Sequence, residues 1–95
     1  KYVEEIVKDL PTVEWVESTP KSIPEFEKFG AKTFSGTGDE WSHNLVVFLR
    51  GAEVSYEGSA VNRSHPTIVR YTPAMAKQAF EFVKNEFTKN GGLRG

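Results

Sequence analysis

Leu45-Val46-Val47-Phe48-Leu49 carries the strongest strand signal in this chain. A short, unbroken apolar run rich in strand formers predicts a strand covered on both faces, and so one central in its sheet. Working outward, Arg50-Gly51-Ala52-Glu53 reads as a tight connection. Val54, Tyr56 and Gly58 then mark a returning strand. Ser59 to Pro66 reads as a polar loop, and Thr67-Ile68-Val69-Arg70-Tyr71 as a further strand. On the other side, Ser35-Gly36-Thr37-Gly38-Asp39-Glu40 is the most turn-like stretch of the chain, and Ala31 to Phe34 reads as a short strand before it.

The two ends of the chain predict helices. Tyr2, Val3, Ile6, Val7 and Leu10 recur at helical spacing, with Glu4, Glu5, Lys8 and Asp9 between them and Pro11 as a stop. Thr72 is placed to cap a C-terminal helix with Pro73 at its first position. Ala76, Ala79, Phe80, Val83 and Phe87 form one apolar stripe along that helix, flanked by Met75 and Phe82. Between the N-terminal helix and the sheet run, Thr12 to Glu17 reads as a strand. Ser22 to Gly30 reads as a short helix with a capping box at Ser22 and Glu25. Successive strands joined by short loops predict an α+β domain. An antiparallel meander of four to five strands should carry an N-terminal and a C-terminal helix on one face. Residues 1–95 form a single domain in this reading, with 90–95 as a frayed tail.

Composition narrows the chemistry. At 95 residues and 10.7 kDa there is room for one domain. Lys and Arg number 12 against 13 Asp and Glu, a formal net charge of -1. A strong positive field of the kind that draws nucleic acid or anionic membrane is therefore missing. Residues 1–50 hold 6 basic against 9 acidic residues and residues 51–95 hold 6 against 4, so the first half is mildly acidic. There are no cysteines, which removes disulfides, thiol chemistry and Cys-based zinc sites. No run approaches 18 apolar residues, so a soluble domain is expected. The chain begins at Lys1, which suggests a fragment or a processed product.

The candidate site residues are Trp41, His43, Arg50, Arg63 and His65. His43 and His65 are the only histidines, at the mouth of the central strand and in the loop after its neighbour. With Asp39 or Glu40 they would make an acid/base pair or a three-ligand metal site, although ordinary surface histidines at strand ends are the expected alternative. Trp41 beside Arg50 or Arg63 would make an interface anchor if exposed. Gly36-Thr37-Gly38 has the look of a phosphate loop. A strand rather than a helix follows it, and no Lys-Ser/Thr pair is present, so a hairpin loop is expected instead.

Three functions follow in order of support. The first is a non-enzymatic interaction domain that docks a protein partner through a sheet edge or the Trp41 loop. An unpaired edge would also serve for pairing of two copies. The second is nucleic-acid binding. Gly51-Ala52-Glu53-Val54-Ser55-Tyr56-Glu57-Gly58 followed by a C-terminal helix is loosely similar to the hairpin-then-helix part of double-stranded-RNA-binding domains. The chain departs from that family at Thr72-Pro73-Ala74-Met75-Ala76-Lys77, which opens the helix with a single lysine, and at the extra strand Thr67–Tyr71. The third is a small enzyme using His43 and His65. No cofactor and no membrane partner is expected.

Overall fold

The computed structural model describes residues 2–18, 31–50 and 53–88, with side chains except at 49–50 and 86–88. Helix α1 (Val3–Asp9) runs into a 3-10 turn at Leu10–Thr12. Strands β1 (Glu14–Glu17), β2 (Ala31–Thr37), β3 (Trp41–Arg50), β4 (Glu53–Asn62) and β5 (Ile68–Arg70) follow, and helix α2 (Pro73–Thr88) closes the described chain. The strands form one sheet in the order β1-β2-β3-β4-β5. Every neighbouring pair is antiparallel. The architecture is therefore the expected α+β meander, with β3 and its Leu45–Leu49 run at the centre.

One face of the sheet makes the core. Trp15, Phe34, Trp41, Leu45, Val47 and Ala60 from the strands share a buried cluster with Ile6 and Leu10 of the N-terminal segment. Met75, Ala76, Ala79 and Val83 of α2 complete it. Burying side chains the size of Met75 and Val83 stabilises by roughly 1.5–3 kcal/mol each before conformational entropy is subtracted. The opposite face is open at Asn44, Glu57 and Arg70, and Ile68 there is 76% exposed. The expectation that both faces of Leu45–Leu49 are covered holds only in part: Leu45 and Val47 are fully buried, while Val46 and Phe48 are half-buried.

Several predicted boundaries move. The first strand starts at Glu14 rather than Thr12, because Leu10–Thr12 wind on past the helix around Pro11. Ser35 to Thr37 belong to β2, where Ser35 pairs with Asn44 and Thr37 with Ser42, so only Gly38 to Glu40 make the turn. Likewise Ser59 to Asn62 extend β4, and its polar residues lie in a strand because β3 supplies a ladder for them. Thr72 caps α2 as predicted, its Oγ1 accepting the Met75 N–H at 3.2 Å. The predicted helix at Ser22–Gly30 and the tail at 90–95 lie outside the described residues. Among the described residues no helix is long and apolar enough to cross a membrane.

Candidate functional site

His43 lies on the core face of β3 and is 1% exposed. Both of its ring nitrogens are engaged. Nε2 lies 2.7 Å from Asp9 Oδ2, and Nδ1 lies 2.6 Å from the Tyr71 hydroxyl. The proton positions follow from the partners. The Asp9 carboxylate only accepts, so Nε2 carries the hydrogen and donates to it. Burial lowers the His43 pKa below its ordinary value of 6.5, against the opposing pull of Asp9, and the Arg63 charge adds to the lowering. The ring is then neutral, Nδ1 is an acceptor, and the Tyr71 O–H donates. Burial, and after it the Asp9 charge, push the Tyr71 phenol well above its ordinary value, which keeps it protonated as a donor. The chain of donors thus runs in one direction, from Tyr71 through His43 to Asp9.

Separate segments of the chain position these groups. Asp9 ends α1 and also accepts the Glu40 N–H on Oδ1 at 3.0 Å, while Thr12 Oγ1 donates to the Asp9 carbonyl at 2.7 Å. The N-terminal helix therefore grips the β2–β3 turn. Gly38 of that turn lies where a Cβ would run into the Asp9 carboxylate, so the close approach needs glycine. Tyr71 sits between β5 and α2. Its ring lies on Gly58, where a Cβ would run into it, and its N–H donates to the Gly58 carbonyl at 2.8 Å. The ring packs across the face of β4 and carries the hydroxyl inward to His43.

The sequence-derived residues do not gather into one patch. Trp41 is fully buried, packed edge-on against Tyr2 with ring centroids 5.8 Å apart. The expectation of an exposed anchor at Trp41 is thereby corrected: strand alternation places it on the same face as His43 and Leu45. Arg63 is exposed and works on the backbone. Its Nη1 donates to the Trp41 carbonyl at 3.1 Å and its Nη2 to that of Asp39. His65 is exposed on the β4–β5 turn, within 3.3 Å of Thr67 Oγ1, whereas His43 is inside the core. The side chain of Arg50 lies outside the described residues. Among the described residues no group of three or more metal-ligating side chains comes together.

Asp9 and Tyr71 were not among the sequence candidates, although each carried a signal. Asp9 follows Ile6 by three residues and precedes Leu10, which puts it on the buried face of α1. Tyr71 follows Val69 by two, which puts both on the same face of a strand.

A second feature lies at the sheet edge. β4 is 10 residues long, but β5 pairs with only Ser59, Ala60 and Val61. From Glu53 to Glu57, β4 is paired with β3 but has no strand on its other side among the described residues. The direction of its backbone groups is fixed by the bonds around it. Gly58 accepts from Tyr71 and Asn62 donates to Thr67 on the β5 side, while Arg63 donates to Glu40 on the β3 side. Alternation then turns the N–H and C=O groups of Val54 and Tyr56 toward the open edge. A groove of about 580 Å³ starts at the Tyr56 end of this edge and reaches past the end of β5, its lining including Tyr56, Gly58, Arg70, Tyr71 and Pro73. Comparison with known proteins finds no family model, no curated protein and no solved structure that matches the chain.

Proposed function

We propose that this domain docks a protein partner by taking an extended segment of it as an added strand along the open half of β4. The observation that carries this reading is the short β5, which pairs with three residues of a 10-residue strand. A segment laid beyond the end of β5 would meet the outward N–H and C=O groups of Val54 and Tyr56, and main-chain hydrogen bonds of this kind supply affinity in strand addition. Alternate side chains of the segment would fall into the groove beside Tyr56, Tyr71 and Pro73. Docking through Trp41 has no such support, since that ring is buried. Catalysis by His43 and His65 has none either, since one lies in the core and the other on an exposed turn.

The test uses peptides selected against the folded domain from a displayed library, followed by amide hydrogen exchange. A bound peptide should protect the Val54 and Tyr56 amides. Val54→Pro removes one outward N–H without touching the ladder to β3, so it should cost less than about 1 kcal/mol of stability. The same change should weaken peptide binding about ten-fold or more, the worth of one interfacial hydrogen bond together with the clash of the ring. Selected peptides that leave these amides unprotected and bind the Val54→Pro protein equally well would remove the proposal.

A further inference from the structure

We propose that His43 is a proton-operated latch: neutral, it holds Tyr71 closed over Gly58, and on protonation it releases it. The donor and acceptor count of the network points to this dependence. A neutral imidazole has one donor and one acceptor, and these match the two partners, with Nε2–H on Asp9 and Nδ1 facing the Tyr71 O–H. A protonated ring has two donors and no acceptor. Its bond to Asp9 survives, but Nδ1–H now faces a hydroxyl whose own hydrogen must turn away. Among the described residues the Tyr71 hydroxyl has no hydrogen-bond partner other than His43. The buried phenol is left with an unmatched O–H, a state that is unfavourable in a low-dielectric interior.

The groups facing His43 set the direction. Asp9, from the end of α1, favours the charged ring. Arg63, from the β4–β5 turn, disfavours it. Tyr71, from the β5–α2 connection, can serve it only as a weaker acceptor, and Trp15 of β1 adds an uncharged ring with its centroid 5.9 Å away. Desolvation outweighs the attraction of Asp9, so the latch stays closed at neutral pH and opens on the acid side. Release acts at one place. Tyr71 holds β4 at Gly58 through its backbone N–H and its ring, and it forms part of the groove wall. Its loosening extends the open edge of β4 by the Gly58 position while the β2–β3–β4 ladders remain.

The experiment follows amide-exchange protection factors and the His43 ring nitrogens by NMR between pH 7.5 and pH 4.5. Protection of the Tyr71 amide should fall about ten-fold, the scale of one buried O–H left without an acceptor, with a single-proton midpoint matching the His43 titration. Amides of β2 and β3 should keep theirs. His43→Gln offers the same donor and acceptor pair without a titrating group, so Tyr71 protection should stay level across the range. Three results would overturn the latch: His43 titrating while Tyr71 stays protected, loss of Tyr71 protection that persists in His43→Gln, or simultaneous loss at all amides. The wild-type titration alone decides the first and third, so the test survives a variant that fails to fold.

Discussion

The two halves of β4 have opposite fates. From Ser59 to Val61 the strand is paired on both sides, by β3 and by β5. From Glu53 to Glu57 it is paired only by β3 among the described residues. The difference does not originate in β4, where strand-forming residues occur in both halves. It originates where β5 stops. Thr72 caps a helix and Pro73 has no N–H to give, so the chain leaves the sheet after Arg70 and Tyr71. Tyr71 makes that boundary firm, with its backbone on Gly58 and its side chain on His43. The open half has instead the marks of a managed edge. Glu53, Ser55 and Glu57 are exposed, and two like charges on one side of a strand discourage pairing with a second copy of itself. One half of the strand is thus closed by a buried polar network, and the other has no second strand among the described residues.

The sharpest way to break the closed half is to remove the member with the most hydrogen-bond partners in other segments. Asp9→Ala strips the acceptor from His43 Nε2–H and from the Glu40 N–H at once. The loss should be about 3 kcal/mol, measured by urea unfolding. A loss below about 1 kcal/mol would show that the network does not hold the N-terminal helix to the sheet. Gly58→Ala attacks the boundary itself. The added methyl meets the Tyr71 ring and the Asn44 carbonyl, and a rigid neighbour on each side leaves little room to yield. About 2 kcal/mol should be lost, visible as a lower thermal midpoint. An unchanged midpoint would mean that Tyr71 shifts at little cost and that the closed half is not held as described.

Acid is the mildest perturbation. The folded state holds the His43 pKa below the 6.5 of the unfolded chain, so the unfolded state binds more protons as pH falls. The contribution of His43 is therefore complete above about pH 6.5 and is lost as pH drops below it toward the folded value. The slope should not exceed about 1.4 kcal/mol per pH unit, the limit for one proton. Comparing His43→Gln with wild type isolates that share. If the difference in stability between the two proteins does not change with pH, His43 is not the titrating group.

Much of this architecture was legible from residue patterns. Leu45–Leu49 announced a central strand, Thr72-Pro73 a helix start, and Ala76, Ala79 and Val83 the side of α2 that is buried. These are local signals, set by period, capping chemistry and the fixed φ of proline. The limits of β2 and β4 were less legible. Ser35 to Thr37 and Ser59 to Asn62 have loop-like composition and become strand only because β3 offers them hydrogen bonds. Trp41 failed as an anchor for a related reason. Its place beside a turn suggested exposure, but its parity with His43 and Leu45 put it in the core, edge-on against Tyr2.

By itself the sequence determined the two terminal helices, the central strand, the α+β class, the absence of thiol chemistry and a near-neutral charge, because each depends on residues close together in the chain or on a count. Only the tertiary structure decided that Asp9, His43 and Tyr71 share one chain of hydrogen bonds, and that β5 is too short to cover β4. Those facts depend on the register of strands and on how far each runs beside its neighbour. Register is set by the burial of a whole face at once and by no single segment.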